Sequence, residues 1–306
     1  MVGEARRPGL GDIGSDLTTL TDRPADKDAG TLLRAGLLGR GIQESLSPRM
    51  HEAEGARLGL RYEYRLFDFD RLGLENSELP QLIEKLKLAG YAGFNVTHPF
   101  KERVVVTLDR LSEEAAAVGA VNTVVFESAG AIGYNTDCWG FAESFRQGLR
   151  DASLDEVLLI GAGGAGMAVA RALVDLGVGR LAISDIDTLK AARLVEAVCS
   201  VGTHATLATD LVAATGKAHG LINATPVGMA KYPGTPVPPG WLRPDLWVAD
   251  IVYFPAETAL LRAATAAGCR TLPGAGMAIF QAVRAFELIT GVEPDADKMA
   301  RHFAQL

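Results

Sequence analysis

Hydroxyl side chains with the potential for chemistry occur just before Pro48, at Ser45 and Ser47. Proline favours the first position of a helix, and the unpaired N–H groups of a helix start favour an anion such as a carboxylate. Ser47 also fits the role of an ordinary helix N-cap. Ser45 is expected to have no capping role and is therefore the more suggestive of the two. The two serines at this helix start therefore predict a site that binds a carboxylate.

A second group of polar side chains, Asn95, Thr97 and Lys101, follows an apolar run that predicts a strand. Pro99 stops a helix from extending backwards, so these residues lie between a strand end and a helix start, where α/β sheets bind ligands. A lone lysine is usually a solvated surface charge. Lys101, however, stands beside Asn and Thr with apolar residues on either side, which favours a functional role.

Polar residues also flank a predicted hairpin, with Asn122 before it and Asp137 after it. Asp137 fits equally well as a cap of the next predicted helix, at 138–149. The sequence leaves open whether Asp137 has a functional role or only caps this helix.

A glycine-rich turn lies at the centre of the chain, in the stretch EVLLIGAGGAGMAVARALVDL. Gly161, Gly163 and Gly166 match G-x-G-x-x-G after an apolar strand and before a helix. In a dinucleotide fold they allow a tight turn, backbone approach to a pyrophosphate and close helix packing. A second strand then ends in Asp185, where an acid binds the adenosine ribose. The alternative is a purely structural glycine turn, which this context disfavours.

The elements that must position these residues follow a βα rhythm in both halves, which predicts an α/β fold with two domains. In the first half we predict strands from Leu32, at 62–69 and 91–96, helices from Ser47 to Leu58 and at 79–88, 101–108 and 112–118, and two strands joined at 128–130. In the second half we predict strands at 157–160, 181–184, 205–207, 221–223, 247–252 and 269–272, helices at 188–199, 210–214, 258–267 and 274–290, and a proline-rich loop at 225–239. The second half is a doubly wound parallel (Rossmann) sheet.

Composition excludes several classes of protein. The 306 residues are 48% hydrophobic and 22% charged, and no apolar stretch is long enough to span a membrane. A net charge of −7 without clustered Lys and Arg argues against nucleic acid as a partner. Three scattered cysteines and five histidines without metal spacing predict neither disulfides nor a metal site, and favour the cytoplasm. Residues 1–30 are interpreted as a flexible extension.

Taken together, the chain resembles the shikimate dehydrogenase family over residues 32–306, and within it the NAD-dependent quinate/shikimate dehydrogenases. The resemblance is carried by eight motifs in one order: S-L-S-P at 45–48, N-V-T-H-P-F-K at 95–101, G-A-V-N-T at 119–123, N-T-D at 135–137, G-A-G-G-A-G at 161–166, N-A-T-P-V-G-M at 223–229, D-I-V-Y-F-P at 250–255 and G-A-G-M…Q at 274–281.

The resemblance implies a role for each motif. It implies that Ser45 and Ser47 hold the substrate carboxylate, that Thr97, Asn122 and Gln281 bind ring hydroxyls, and that Lys101 and Asp137 are the catalytic pair. The cofactor residues that it suggests are Gly161, Gly163, Gly164, Ala165 and Gly166 at the pyrophosphate, Asp185 and Lys190 near the ribose, Thr225, Pro226, Gly228 and Met229 near the adenosine, and Ile251 and Gly274 beside the nicotinamide. It also implies a substrate domain at 31–148, completed by 273–306, around a dinucleotide domain at 149–272.

The sequence after Asp185 predicts NAD as the cofactor. NADP-linked members of the family carry a basic residue in this turn, whereas this chain has Ile186 and then a second carboxylate, Asp187. Asp187 also fits as a helix cap. The expected activity is NAD-dependent oxidation of shikimate, quinate or both. The alternatives are an NADP-dependent biosynthetic shikimate dehydrogenase and a non-catalytic nucleotide-binding regulator. A homodimer is left open.

Overall fold

The computed structural model describes Gly30 and residues 32–305, so the flexible extension expected at 1–30 lies outside the described residues except for Gly30. The chain divides into two compact units. The first contains the described residues up to Asn135 and from Ala282 onwards, and the second contains Thr136–Gln281. The sequence-based domain boundary at 148/149 lies at the other end of the helix that opens the second unit.

The first unit contains a six-stranded mixed sheet in the order β2-β1-β3-β5-β6-β4. Its strands are β1 (Leu33–Gly39), β2 (Tyr62–Asp68), β3 (Gly93–Val96), β4 (Arg110–Leu111), β5 (Thr123–Glu127) and β6 (Gly130–Tyr134). Strand β1 pairs in parallel with both β2 and β3. The carboxyl ends of these three strands therefore meet at one edge of the sheet, which is where the predicted substrate residues follow β1 and β3.

The helices of this part are α1 (Ser47–Arg57), α2 (Phe69–Leu72), α3 (Leu79–Leu88) and α4 (Glu113–Val118), with 3₁₀ turns at Asn76–Glu78 and Arg103–Thr107. Helix α3 has the predicted bounds. The predicted helix at 101–108 is wrong, because the segment forms the second of these 3₁₀ turns. Three consecutive valines, 104–106, explain the difference, since β-branched side chains disfavour the α-helix.

The second unit is a parallel six-stranded sheet in the order β12-β11-β10-β7-β8-β9, which confirms the doubly wound fold. Its strands are β7 (Glu156–Ile160), β8 (Arg180–Ser184), β9 (His204–Leu207), β10 (Gly220–Asn223), β11 (Trp247–Asp250) and β12 (Arg270–Pro273). Its helices are α5 (Thr136–Gly148), α6 (Gly164–Asp175), α7 (Thr188–Ser200), α8 (Leu211–Lys217), α9 (Ala259–Ala266) and α10 (Ala275–Thr290), with a 3₁₀ turn at Pro239–Trp241. The unit boundary falls within α10, and α11 (Ala296–Phe303) belongs to the first unit.

Apolar residues cover both faces of the second sheet, as expected for a parallel sheet between helices. Along β7, Val157 and Leu159 belong to one buried cluster, whereas Leu158 and Ile160 belong to another. The strand order reverses between β7 and β10, so a crevice for a ligand is expected at their carboxyl ends.

In residues 30 and 32–305, no helix has the length and apolar character needed to cross a membrane.

Candidate active site

The loop that carries the two serines is fixed by Asp68, the last residue of β2. Its carboxylate accepts hydrogen bonds from the N–H groups of Gly41 and Ile42, both at 3.1 Å, and from Gln43 Nε2 at 2.9 Å. Burial acts to raise the pKa of Asp68, but these donors together lower it. Asp68 is therefore an anchor for the chain just before Ser45.

The start of α1 differs from the prediction for Ser47. The N-cap is Leu46, whose side chain cannot accept a hydrogen bond, and Ser47 is the first helical residue. Ser45 Oγ instead accepts a hydrogen bond from the Ser47 N–H at 3.3 Å, so the expectation that Ser45 has no capping role is also wrong. The cause is the turn before the helix, closed by a Ser45 N–H to Ile42 O bond of 3.0 Å. Both serines are half-buried, with their hydroxyl oxygens 3.2 Å apart.

The segment with Thr97 and Lys101 lies directly beside the end of β1. The Thr97 N–H donates to Leu38 O at 2.9 Å, and a Cβ on Gly39 would collide with the Thr97 side chain. Glycine at this position therefore permits the close approach. Lys101 is half-buried, and its backbone carbonyl accepts from the Val121 N–H at 2.8 Å. This contact brings the segment that carries Asn122, directly before β5, to the same edge.

Asn122 lies against a second buried amide, Asn95. Asn95 Nδ2 donates to the Asn122 carbonyl at 3.3 Å and to Thr123 Oγ1 at 2.9 Å. Asn95 Oδ1 accepts from the Tyr64 hydroxyl at 2.7 Å. The sequence indicated Asn95 as a polar residue at a strand end but gave it no role, and it did not indicate Tyr64 at all. The signal for Tyr64 was a tyrosine on a buried strand, since a buried phenol requires a partner.

Asp137 and Gln281 belong to the second unit, whereas the serines, Thr97, Lys101 and Asn122 belong to the first. Asp137 is buried in the first turn of α5, which begins two residues earlier than predicted, so Asp137 lies within the helix. One turn later, a Cβ on Gly140 would collide with the backbone of α10 at Met277 and Gln281. This close approach places Asp137 and Gln281 on neighbouring helices.

The glycine turn has the geometry expected at a pyrophosphate. Gly161 has φ +108°, and a Cβ there would meet the Ala224 carbonyl. A Cβ on Gly166 would overlap the Gly161 carbonyl oxygen, whereas one on Gly163 or Gly164 would find open space among the described residues. The backbone beside this space begins α6, so the N–H groups of Gly164 and its neighbour Ala165 lie at a helix start. The turn therefore fits a dinucleotide.

Asp185 follows β8 and faces this turn. Its Oδ2 accepts from the Ala162 N–H at 2.7 Å, and its Oδ1 accepts from the Asp187 N–H at 2.8 Å. Asp187 caps α7 by accepting from the N–H groups of Leu189 and Lys190, which confirms the capping interpretation. The Lys190 ammonium lies 4.0 Å from the Asp187 carboxylate, and the Ile186 side chain is fully exposed.

The loop after β10 is held by two buried residues that were not predicted as site residues. Asn223 Nδ2 donates to Val227 O at 2.8 Å and to Asp250 Oδ1 at 2.9 Å, and Asn223 Oδ1 accepts from the hydroxyl of Thr225 at 2.7 Å. Burial raises the pKa of Asp250. The remaining predicted residues of this loop are Pro226 and Met229, which are exposed, and Gly228, which is half-buried with φ +110°.

Ile251 and Gly274 also come together in the second unit. A Cβ on Gly274 would collide with the carbonyl group of Ile251, so glycine is required for this contact. Over the described range, no three His, Cys, Asp or Glu side chains are grouped so that they could hold a metal ion.

Comparison with known proteins identifies close relatives over nearly the whole chain. Residues 37–124 match the model of the shikimate dehydrogenase substrate binding domain, and residues 274–302 match that of the shikimate 5'-dehydrogenase C-terminal domain. The chain is 50% identical over 282 residues to the shikimate dehydrogenase (NADP(+)) of Streptomyces avermitilis, covering 89% of this chain and 94% of the relative. It is 44% identical over 279 residues to the quinate/shikimate dehydrogenase (NAD(+)) of Corynebacterium glutamicum, covering 89% and 98%.

A solved structure agrees with these matches. Quinate dehydrogenase from Corynebacterium glutamicum in complex with NAD superimposes with a TM-score of 0.85 at 43% identity, covering 90% of this chain and 99% of that one.

Proposed function

The chain belongs to the shikimate dehydrogenase family, and from this premise we propose that it is an NAD-dependent oxidoreductase that interconverts shikimate and 3-dehydroshikimate, quinate and 3-dehydroquinate, or both pairs. The observation that carries the proposal is that β1 and β3 lie side by side, so that the loop with Ser45 and Ser47 and the segment with Thr97 and Lys101 follow adjoining carboxyl ends of the sheet. Hydroxyl donors beside an amine match a substrate that carries both a carboxylate and hydroxyl groups.

In this proposal the acid–base work belongs to Lys101 and Asp137. A nicotinamide held beside Ile251 and Gly274 would supply the acceptor for the hydride on the carbon that carries the substrate hydroxyl. Lys101 takes the hydroxyl proton of the substrate and returns it in the reverse direction. Asp137 shares the same hydroxyl and stabilises the protonated lysine. Thr97, Asn122 and Gln281 bind the ring hydroxyls.

The proposed preference for NAD is supported by the turn after β8. Asp185 and Asp187 place two carboxylates where a 2′-phosphate would require a cation. Lys190 is the nearby cation, and it already faces Asp187. The NAD(+) relative is consistent with this choice.

A second candidate function is the NADP-dependent enzyme. The observation that favours it is the name of the Streptomyces avermitilis relative, which is 50% identical and is described as NADP(+)-dependent. The two candidates share the same substrate chemistry and differ in the cofactor.

The test is a spectrophotometric assay of reduced-cofactor formation with shikimate and with quinate, each against NAD⁺ and NADP⁺. We expect turnover of at least one substrate, with a higher kcat/KM for NAD⁺. A higher kcat/KM for NADP⁺ would select the second candidate. Absence of turnover in all four combinations would contradict both.

A variant separates an enzyme from a nucleotide-binding regulator. Lys101→Ala is expected to reduce kcat by roughly 10²–10⁴-fold with a small change in KM, because a proton-transfer group acts mainly in the transition state. Lys87→Ala is the matched control, since Lys87 is an exposed lysine on α3 of the same unit. Equal kcat values for the two variants would refute the role of Lys101.

A further inference from the structure

Three buried polar side chains of the second unit form one hydrogen-bond network at the ends of β10 and β11. Asn223, Asp250 and Thr258 are each at most 1% exposed. Asp250 Oδ1 accepts from Asn223 Nδ2 at 2.9 Å, and Asp250 Oδ2 accepts from the Thr258 hydroxyl at 2.6 Å. Side chains this deeply buried leave no surface for a ligand to contact. Any effect that they have on a bound cofactor must therefore pass through the residues that they hold.

The network holds the loop after β10 through Asn223. Asn223 Nδ2 donates to the Val227 carbonyl at 2.8 Å as well as to Asp250. Both partners are acceptors, so the amide cannot turn over without placing its own oxygen against them. Asn223 Oδ1 accepts from the N–H and the hydroxyl of Thr225, at 3.1 and 2.7 Å. The acceptor on Asp250 therefore fixes the orientation of Asn223, which in turn fixes residues 225 and 227.

The same loop contacts the network at Gly228, which has φ +110°. A Cβ on Gly228 would lie 3.4 Å from the Thr258 side chain and 3.7 Å from Asp250 Oδ2. The backbone of Gly228 therefore lies close to the Asp250–Thr258 pair. Thr258 is itself fixed, because its hydroxyl oxygen accepts from the Leu261 N–H at 3.2 Å as the cap of α9.

Asp250 also fixes the chain that leaves β11. Its Oδ1 accepts a second hydrogen bond, from the Val252 N–H at 3.0 Å, and the Ile251 N–H donates to the Asn223 carbonyl at 3.0 Å. The Ile251 carbonyl group is the one that a Cβ on Gly274 would meet. One oxygen of Asp250 thus connects the loop expected near the adenosine with the segment expected beside the nicotinamide.

We propose that Asp250 is a positioning residue for the dinucleotide, which holds the adenosine loop and the nicotinamide segment in one arrangement through its Oδ1. Segments that are already ordered lose little freedom when a ligand binds, so the ligand binds more tightly. This inference rests on the proposed function, because it takes the two segments to contact a nicotinamide dinucleotide.

The test measures the dissociation constant of the cofactor by calorimetric titration without shikimate, for Asp250→Ala, Asp250→Asn and the unmodified enzyme. NAD⁺ and NADP⁺ are both titrated, and the variants are compared with the cofactor that the unmodified enzyme binds more tightly. Asparagine keeps an oxygen in the place of Oδ1, whereas alanine leaves the Asn223 and Val252 donors without this acceptor.

We expect Asp250→Ala to weaken cofactor binding roughly tenfold, and Asp250→Asn to weaken it less than about twofold. KM for shikimate at saturating cofactor should stay unchanged in both variants. An unchanged dissociation constant in Asp250→Ala would overturn the inference and leave Asp250 a role in stability alone. Equal weakening by alanine and asparagine would also overturn it, since asparagine retains the acceptor.

Binding of neither dinucleotide to the unmodified enzyme would overturn the inference as well. A failure of the proposed function is a separate result. It would show as absence of shikimate and quinate turnover in an unmodified enzyme that still binds a dinucleotide.

Two buried threonines keep the inference testable if Asp250→Ala does not fold. Thr258 donates to Asp250, whereas Thr215, which is also buried, donates to the Leu211 carbonyl within α8 at 2.7 Å. Thr258→Val and Thr215→Val each remove one buried hydroxyl, and Thr258→Ser retains it. We expect Thr258→Val to weaken cofactor binding roughly threefold, and Thr258→Ser and Thr215→Val to leave it unchanged. Equal dissociation constants for Thr258→Val and Thr215→Val would overturn the inference.

Discussion

Replacing Ile186 by Arg together with Asp187 by Ser is expected to shift the cofactor preference towards NADP⁺. The Ile186 side chain is fully exposed, so its replacement removes no core contact. Asp187 caps α7, and serine keeps a capping oxygen while removing the charge. Asp185 is left unchanged in this variant, because its carboxylate accepts hydrogen bonds from the N–H groups of Ala162 and residue 187.

The size of the shift follows from the charges at this exposed turn. A hydrogen bond to a charged group contributes about 1.5–3 kcal/mol. Position 186 is fully exposed, and solvent weakens the interaction between an arginine there and the 2′-phosphate of NADP⁺. The expected gain therefore lies in the lower part of that range. A gain of about 2 kcal/mol corresponds to about a thirtyfold increase in kcat/KM for NADP⁺.

The assay measures kcat/KM for NAD⁺ and NADP⁺ at saturating shikimate, for the unmodified enzyme and the double variant. Val201→Arg is the control for the added arginine, because it introduces one arginine at the other end of α7, at a residue that is also exposed, while Asp187 keeps its carboxylate. The double variant should gain activity with NADP⁺, and the control should not. An equal change in both would mean that net charge, and not the position of the arginine, sets the preference.

The remaining predictions concern the supports of the site. Asp68→Ala should raise KM for shikimate about tenfold, with KM for NAD⁺ unchanged in the same assay, because the loop before Ser45 loses its anchor. Burial lowers the pKa of His51 to about 3, so its contribution to stability is present above the ordinary pKa of 6.5 and is lost as pH falls. Urea unfolding should show a loss of about 2 kcal/mol between pH 6.5 and pH 5 that His51→Gln does not share. Burial raises the pKa of Asp250, so its contribution is present at low pH and lost as pH rises through the raised pKa, and Asp250→Asn should become more stable relative to the unmodified enzyme on going from pH 4 to pH 7. Parallel pH profiles for variant and unmodified enzyme would contradict the assignments of His51 and Asp250.

Local sequence patterns were sufficient for most of the fold. The apolar run before Gly161, the glycine spacing and the helix after it predicted the β7-turn-α6 unit, because each depends on residues close in sequence. Helix α3 had the predicted bounds for the same reason, with Leu79, Leu82, Ile83 and Leu86 buried at helical spacing.

The supports of the site could not be predicted because their partners are distant in sequence. Tyr64 bonds Asn95 across a separation of 31 residues, and Asp68 holds Ile42 across 26. The assignment of Ser47 as the N-cap of α1 was wrong for a related reason, since a side chain's capping role depends on the path of the backbone. The turn closed between Ile42 and Ser45 sets that path.

The structure also changes how the acid at the tip of β8 is interpreted. From sequence, Asp185 had one explanation, the adenosine ribose. In the structure its two oxygens each accept a backbone N–H and connect the glycine turn to the start of the next loop. Each carboxylate oxygen retains a lone pair for a ribose hydroxyl. An acid here would therefore stabilise the turn with either cofactor, and Asp185→Ala would disturb the pyrophosphate site as well as the ribose site. We therefore expect the preference between NAD and NADP to be easier to change at residues 186 and 187, which are exposed, provided that residue 187 keeps an oxygen that caps α7.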